Sequence, residues 1–427
     1  MKEAYLQSFK DQAVGRAAGP LDVIRGEGIE AFNVLGYPSI KAEDWKYTSV
    51  AALAKLTFQV GSPLATPDAD WKKYSYAHAG FSELVFLNGR FSPELSNLTA
   101  LPKGVVVDSV ASILRKRPEL LQNYLAQYSG TTEDGFKALN TALFSEGAFI
   151  QLPGDAVAEM PIHLLFISTR NDSAVNFLRN IIVADSGSQV KILESYVGSS
   201  GVYFNNAVTQ VFLAENAQVE HFKIQRENID AYHMGDLRVH QGRNSVFRSS
   251  LFSLGGLLAR NETKITLDGE GSECSLLGLY GARGKQLVDN LTLVDHAKPH
   301  CKSNEFYKGV LDDSSRGIFN GKILVRQDAQ KTSAEQANKN LLLSKDATAN
   351  TRPQLQIYAN DVKCTHGATV GQLDAEALFY LRSRGIDETS AKRILSRAFA
   401  SDILDQMGIE TVRKSANQLF EGWLEAV

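Results

Sequence analysis

The residues of this chain whose types and spacing best suit chemistry are Cys364 and His366. They lie two positions apart in a segment rich in β-branched residues, and in a strand residues i and i+2 point to the same side. A sulfur beside an imidazole nitrogen suits thiol chemistry or a thiophilic metal. Because the chain has three cysteines, it cannot supply a four-thiolate site alone, so metal chemistry here requires a partner. The alternative is a core cysteine beside a histidine that a local hydrogen bond satisfies.

A second set of metal-ligand types is formed by His296, His300 and Cys301. Two histidines four residues apart can bind zinc from one face of a helix, but Pro299 between them blocks that helix. No second pair of ligands lies close in the sequence. We therefore expect a turn with solvated histidines here rather than a metal site.

Two classes of enzyme lack their motifs in this chain. The Gly-x-x-x-x-Gly-Lys-Ser/Thr loop is absent, so the chain is not expected to hydrolyse ATP by itself, and no Gly-x-Ser-x-Gly elbow is present. Scattered carboxylates would suit a β-helix carbohydrate enzyme, namely Asp289, Asp295, Asp312 and Asp313. Nothing pairs them specifically, so we interpret them as solvated acids in turns.

Length, charge and cysteine usage narrow the class of protein. The 427 residues are 44% hydrophobic, which is enough for a large core and more than one domain. The net charge is −3 and the basic residues are spread out, which argues against a nucleic-acid partner. An odd number of distant cysteines favours a reducing compartment. Without a signal-peptide pattern or a run of about 18 apolar residues, we expect a cytoplasmic protein with no membrane span.

The sequence divides into three predicted regions. A mixed and helical N-terminal region covers residues 1–147, a β-rich core covers 148–372, and a helical region covers 373–427. In the core, short apolar runs recur before turns, and we align them at Val183, Leu213, Val239, Leu267, Leu293, Val325 and Ile357. Their spacing of 26 to 32 residues fits the coils of a parallel β-helix, in which insertions go into loops. A β-sandwich is the alternative.

The same alignment places all three cysteines at one position of their coils. Cys274, Cys301 and Cys364 follow the turn, as do Val190, Val219 and Val246. We therefore predict that the cysteines fill an inward-facing apolar ladder as small hydrophobic side chains.

Helical spacing returns beyond Gly371. Asp374 is expected to cap a first helix that Gly385 closes. A second helix over about 389–407 carries apolar residues on one stripe, namely Ile394, Leu395, Ala398, Phe399 and Ile403, and a third from about Glu410 also has apolar residues at helical spacing. We expect these stripes to pack on each other and on the end of the β region, and the helices could also present a groove or a face to another protein.

Several segments resemble the SufB/SufD family of the SUF iron–sulfur cluster assembly system. The similarity is dense between about 303 and 404, in the segments 307–311, 316–322, 330–332, 340–344, 364–371 and 378–386. Weaker similarity at 43–48, 86–91 and 138–142 extends to the N-terminal region and points to the SufD branch of this family.

The resemblance implies a right-handed parallel β-helix flanked by helical regions. It also implies a SufB-like partner, and a SufC-like ABC-type ATPase that binds the C-terminal helices. His366, with Cys364 near it, would lie at the contact with SufB and help the nascent cluster form, with His366 as a metal ligand shared with that partner. The cluster would be present transiently at the interface, and the isolated chain would bind no cofactor.

One departure separates the chain from SufB. SufB carries a cysteine in the coil just before the histidine, proposed to receive sulfur, whereas this chain has none between Cys301 and Cys364. The resemblance therefore implies a non-catalytic subunit rather than the principal scaffold. Because a long β-helix has open strand edges, the isolated chain could also form a homodimer.

Two other functions stay open at this point. The chain could be a purely structural scaffold that holds its partners together without contributing chemistry. It could also, with less support, be a β-helix enzyme that acts on carbohydrate.

Overall fold

A repeated pair of strands builds the centre of the molecule. The computed structural model describes residues 2–13, 20–60, 69–98, 101–126, 134–169, 173–198 and 200–425. Each coil gives one strand to each of two ten-stranded sheets, and the next coil stacks on it, which makes a solenoid of about eight turns. The prediction of a mainly β chain, with a parallel β-helix core between N-terminal and C-terminal helical regions, is confirmed.

The N-terminal region joins both sheets at their first coil. Its helices and strands are α1 (Lys2–Ala13), α2 (Pro20–Leu35), β1 (Gln59–Val60), β2 (Ser82–Leu87), β3 (Arg90–Phe91), β4 (Val106–Ser109), α3 (Val110–Lys116), α4 (Glu119–Ala126) and α5 (Gly135–Leu143). Short 3-10 helices lie at Glu43–Trp45, Leu53–Lys55, Ala69–Tyr74 and Ala77–Ala79. β1 and β4 pair with one sheet and β2 pairs with the other, so the first coil is covered.

The odd-numbered core strands form sheet 1, and the even-numbered core strands form sheet 2. Sheet 1 contains β5 (Ala148–Leu152), β7 (Ala174–Ala184), β9 (Phe204–Leu213), β11 (Tyr232–Gln241), β13 (Leu258–Leu267), β15 (Leu287–His296), β17 (Arg316–Val325) and β19 (Thr348–Ile357). Sheet 2 contains β6 (Ile162–Ser168), β8 (Gln189–Gly198), β10 (Gln218–Arg226), β12 (Val246–Ser253), β14 (Glu273–Ala282), β16 (Lys302–Leu311), β18 (Ser333–Leu342) and β20 (Lys363–Gly371). Neighbouring core strands pair in parallel, which excludes the antiparallel β-sandwich.

The register of sheet 1 corrects part of the predicted alignment. One ladder joins Ala184, Leu213, Gln241, Leu267, His296, Val325 and Ile357. The predicted anchors Val183, Val239 and Leu293 lie one, two and three positions away from this ladder. The shifts at Val239 and Leu293 arise because the ladder residues of those coils, Gln241 and His296, are polar, and an alignment built on apolar triplets passes over them.

Three hydrophobic layers hold the coils and their covers together. The side chains between the two sheets form the solenoid interior, for example Ile182, Val211 and Ile265. The outer face of sheet 1 packs against α2 and α5 of the N-terminal region. The outer face of sheet 2 packs against the C-terminal helices. Burial on both faces explains why many core strands read as nearly continuous apolar runs.

The C-terminal helices lie along the side of the solenoid. They are α6 (Ala375–Ser383), α7 (Glu388–Leu404) and α8 (Glu410–Glu425). Asp374 caps α6 by accepting a 2.9 Å hydrogen bond from the Ala377 amide, and Gly385 follows with a φ of 85°, as predicted. Lys308 of β16 donates to the Asp402 carboxylate of α7 at 2.7 Å, which fixes α7 to sheet 2.

None of the described helices combines the length and the apolar character needed to cross a membrane. The boundaries of the three predicted regions stay a prediction.

Candidate functional site at the open end of the solenoid

The last coil ends in two strands with a neighbour on one side only. β19 pairs with β17 and β20 pairs with β18, and within the described ranges no further strand continues either sheet. Most residues of β20 are exposed, in contrast to the buried strands of the first coils. We call this surface, formed by β19 and β20, the open end. It presents a row of backbone groups that another chain could pair with.

Cys364 lies half-buried at the open end. It is in register with Ala334 and packs against a small apolar cluster that includes Ile323 and Val325. Burial raises the pKa of the Cys364 thiol above its usual range. The side chain is therefore protonated at neutral pH, and it becomes a thiolate only if a metal or another cation displaces the proton.

His366 lies two residues further along β20 and is exposed. Because Cys364 packs into the interior cluster, strand alternation places His366 on the same face, at the mouth of the solenoid. Its register partner is Gln336, which is buried inside the preceding coil. The structure thus brings the two predicted site residues to one face of one strand, and their role in cluster assembly stays a prediction.

The predicted cysteine ladder holds for two of its three members. Cys274 and Cys364 belong to a column of sheet 2 that runs Val190, Val219, Phe247, Cys274, Ser303, Ala334 and Cys364. Cys301 precedes this column by two positions, and Val246 by one, so the prediction is wrong for both.

Cys301 instead occupies a turn position that serine and threonine fill in neighbouring coils. Its sulfur lies 3.3 Å from the carbonyl oxygen of Gly269 and 3.3 Å from the hydroxyl of Ser272. At the equivalent position of the next coil, the Thr332 hydroxyl donates to the Ala329 carbonyl of its own turn, whereas the Cys301 thiol reaches the Gly269 carbonyl of the preceding coil. Cys301 thus stands at a polar turn position, and this explains why an apolar pattern misplaced it.

The histidines near Pro299 separate in the structure. His300 lies exposed in a turn with a φ of 59°, as predicted. His296 is buried at the end of β15, where its Nε2 lies 2.8 Å from the Ser303 hydroxyl. Burial lowers the pKa of His296 to about 4, so the prediction that it is solvated is wrong. In the described part of the chain, no group of three or more His, Cys, Asp or Glu side chains is arranged to hold a metal ion.

Two of the four predicted turn acids are also buried. Asp289 accepts a 2.5 Å hydrogen bond from Thr48 and pairs with Arg260, and Asp295 pairs with Arg326 at 2.6 Å. Both lie in β15 rather than in a turn, so the prediction is wrong for them. Since cations neutralise both carboxylates, neither is available as the acid or base of a glycosidase pair.

The segment 43–48 closes sheet 1 from outside. The Arg260 guanidinium lies 3.9 Å from the centre of the Trp45 ring, and Arg260 also donates to the Asp44 carbonyl. This segment is therefore a structural seal over the polar outer face of β13 and β15. The same segment also reaches the last coil, where Arg352 of β19 pairs with Glu43.

A polar cluster inside the solenoid was missed by the sequence analysis. Lys223 donates to Asn261 at 2.9 Å and lies 2.9 Å from His233 Nε2, while His221 lies 3.3 Å from Glu194. Burial lowers the pKa of Lys223 to about 8. The sequence of β10 could have revealed this cluster, because polar residues occupy alternate positions of the strand that point into the solenoid, where apolar residues are the rule.

A second exposed surface lies on the C-terminal helices. Phe379 and Tyr380 of α6 are 74% and 56% exposed, and Ile394 of α7 is also exposed. α6 has no buried residue, although it packs beside α7. Of the stripe predicted for this helix, Ile403 is buried and Ile394 is not, and the other buried residues of α7 are Ala391, Ser396, Ala400 and Leu404.

Comparison with known proteins shows the family to which the chain belongs. A family model described as the SUF system FeS cluster assembly SufBD core domain matches residues 166–399. A model of the SufBD protein N-terminal region matches residues 2–164. The chain belongs to the SufBD family. The resemblance that the sequence suggested is thereby confirmed.

Relatives from several bacteria match over most of their length. An iron–sulfur cluster assembly SufBD family protein of Synechocystis is 35% identical, over 97% of this chain and 94% of the relative. The iron–sulfur cluster assembly protein SufD of Escherichia coli is 30% identical, over 89% of this chain and 87% of the relative. SufD of Bacillus subtilis is 28% identical, over 98% of this chain and 97% of the relative. SufBD membership supports a role for this chain in iron–sulfur cluster assembly by the SUF system.

Proposed function

We propose that this chain is the SufD-type, non-catalytic subunit of a scaffold complex in which iron–sulfur clusters are assembled. A SufB-type subunit covers the open end, and a SufC-type ABC ATPase binds the C-terminal helices. The complex works in the cytoplasm, and the cluster is its product, held transiently between the subunits. Without the SufB-type subunit, the same strand edges pair two copies of this chain.

The observation that carries the proposal is the open end with His366 on it. Unpaired edge strands bind a partner by continuing the sheet, which orients the side chains of the last coil toward that partner. His366 supplies one imidazole nitrogen, and Cys364 supplies an auxiliary thiol beside it. Two groups are too few to hold a cluster, so the remaining ligands come from the SufB-type subunit.

The first experiment replaces His366 by alanine in a complex co-expressed with SufB-type and SufC-type subunits. The complex should form as in the wild type, because His366 is exposed. Iron and acid-labile sulfide per complex should fall several-fold. His300→Ala is the matched control, since His300 is an exposed turn histidine of the same chain.

The cluster yield of His366→Ala decides whether the chain contributes to cluster assembly or is a purely structural scaffold. An undiminished cluster yield in His366→Ala would show that the chain is a purely structural scaffold. If the wild-type chain fails to bind a SufB-type subunit at all, the proposed docking at the open end is wrong.

The proposed ATPase contact has its own test. Phe379→Asp places a charge in the exposed apolar surface of α6 and should weaken binding of the SufC-type subunit more than ten-fold, as loss of an aromatic anchor does. Thermal unfolding of the isolated chain should not change, because Phe379 is 74% exposed. Val34→Asp on α2 is the control, since Val34 is 84% exposed and lies in the N-terminal region. Unchanged ATPase binding by the Phe379 variant would contradict the contact.

A further inference from the structure

A cavity of about 240 Å³ lies where the C-terminal helices meet the solenoid. One wall is formed by the turns that follow β16 and β18, which place Asp312 and Leu343 against it. The other wall is one side of α7 together with the end of α8. At the share of about 30 Å³ that each molecule has in liquid water, the cavity has room for about eight water molecules. A small ion with part of its hydration shell therefore fits into it.

The α7 wall carries hydrogen-bond donors in a regular row. Thr389, Lys392, Arg393 and Ser396 all border the cavity. Their positions in the sequence, separated by three or four residues along α7, put them on one side of the helix. Two of these residues are cations and two carry hydroxyl groups, so the wall offers several donors and positive charge. Such a set suits an ion that has several acceptor oxygens.

Two polar atoms of this wall are buried without a partner. Ser396 is completely buried, and among the described residues nothing forms a hydrogen bond with its hydroxyl. The Arg393 guanidinium is held in place because it donates to the carbonyl of Glu425 at 3.0 Å, but its Nε–H is buried and has no partner there. Buried polar atoms in native proteins are nearly always hydrogen-bonded. An acceptor bound in the cavity would satisfy both groups.

Asp312 makes the solenoid wall of the cavity acidic. Its side chain is half-buried, and within the described part of the chain neither cation of the α7 wall pairs with it. Lys392 pairs with Glu388 instead, at 2.9 Å. Because a carboxylate accepts hydrogen bonds and repels anions, a ligand between the two walls must accept from α7 and donate to Asp312.

Hydrogen phosphate meets both requirements. At neutral pH it keeps at least one P–OH group, which can donate to the Asp312 carboxylate, while its other oxygens accept from Arg393 and Ser396. Sulfate has the same tetrahedral shape but no proton at this pH, so the carboxylate would repel it. A nucleotide is too large to be enclosed, because pockets for larger ligands measure about 300–1,000 Å³.

We propose that this cavity is a binding site for inorganic phosphate. The proposal does not rest on the proposed function, because it uses no residue of the open end and does not involve Phe379. The bound ion connects α7 with the turn that follows β16. Its binding free energy therefore stabilises the packing of the C-terminal helices on the solenoid.

The first test titrates inorganic phosphate into the isolated full-length chain at pH 7 and constant ionic strength, with calorimetry as the readout. We expect one saturable site per chain, and we expect sulfate and AMP to bind at least about ten-fold more weakly. Absence of a saturable site would overturn the proposal. Equal binding of phosphate and sulfate would also overturn it, since it would show an unspecific electrostatic contact. Tighter binding of AMP would overturn the assignment to the free ion.

Variants of the α7 wall locate the site. Arg393→Met should weaken phosphate binding by about ten-fold or more, because it removes a charge-assisted hydrogen bond. Arg397→Met is the matched control, since Arg397 is an exposed arginine of the same helix and does not border the cavity. Ser396→Ala leaves every charge in place and should weaken binding several-fold, which keeps the test valid if Arg393→Met does not fold. Wild-type affinity in Ser396→Ala would overturn the site.

Asp312→Asn separates a hydrogen-phosphate site from a general anion site. The amide of asparagine can donate to an anion, so sulfate should bind this variant within about three-fold of phosphate, whereas the wild type prefers phosphate. Asp313→Asn is the control, because Asp313 is exposed in the same turn and does not border the cavity. An unchanged preference for phosphate in Asp312→Asn would overturn the role of Asp312 as the acceptor of the P–OH group.

Discussion

The two ends of the solenoid are built from similar coils, but only the first end is covered by other parts of the chain. At the first end, the strands β1, β2 and β4 extend the sheets, and β6 and β7 are buried along their whole length. At the last end, β20 is exposed and the helices that follow it pack on β14 and β16 at the side instead of covering it. Proteins usually cover or charge such an edge to prevent aggregation. Because the first end is covered and the last end is not, the contrast indicates that the open end is a surface for binding a partner.

The largest difference should appear between two arginines of sheet 1 that contact the N-terminal segment 43–48, Arg260 and Arg352. Arg260→Ala removes the partner of buried Asp289, and breaking such a pair should lower the free energy of unfolding by about 3–5 kcal/mol. Arg352→Ala removes an exposed pair with Glu43 near the open end, and it should produce no measurable change. Urea unfolding of both variants makes the comparison. Equal losses would mean that the last coil holds the segment 43–48 as tightly as the inner coils do.

The next largest difference in the free energy of unfolding should appear between alanine variants of two isoleucines, one in the interior and one in the last coil. Ile182→Ala opens a cavity in the interior near the first coil and should cost about 2–5 kcal/mol. Ile357→Ala lies in the last coil, where the side chain is already 38% exposed, and should cost about 1 kcal/mol or less. Thermal unfolding of the two variants measures the difference. A large loss from Ile357→Ala would show that the open end is packed like the core.

The smallest expected effect is the pH dependence that Glu305 gives to the region near the open end. Its pKa is raised to about 7 in the folded chain, whereas an unfolded glutamate titrates near 4.3, so the folded state binds more protons between these values. Stability therefore falls as the pH rises from about 4.5 through 7. Glu305→Gln should be more stable than the wild type at pH 8 by about 1–3 kcal/mol and should lose this advantage at pH 4.5.

Denaturant unfolding at the two pH values tests this dependence, with Glu335→Gln as the control for removal of a carboxyl group. A Glu305→Gln variant less stable than the wild type at pH 8 would show that the carboxylate is stabilised by a partner in the interior.

The β-helix was predictable from the sequence because apolar residues recur at equivalent positions of successive coils, although the residue types at those positions differ. Leu213, Leu267, Val325 and Ile357 do lie in one ladder, although the loops between them differ in length. The finer register was not predictable. Polar residues such as Gln241 share the ladder, and turn thiols such as Cys301 lie beside it, so hydrophobicity alone cannot assign every position.

The candidate site was predictable in part. Cys364 and His366 could be found because their spacing puts them on one side of a strand within a single segment. The interior groups could not, because Glu305 and Thr292 lie on opposite sheets and meet only when the coil closes. The alternation of residues along a strand predicts which side chains point inward. It does not show which inward side chains from the two sheets face each other.

The stacking of coils has a further consequence for how the molecule resists unfolding. Each inner coil has two neighbours, whereas the coil formed by β19 and β20 has one, and the side-packed α7 contacts β14 and β16 rather than that coil. In such a one-dimensional array, stability is shared between nearest neighbours, so the last coil opens most readily. Amide hydrogen exchange should therefore be fastest there and slow progressively inward. A docked subunit would act as the missing neighbour, and its binding energy would be measured as slower exchange along the array.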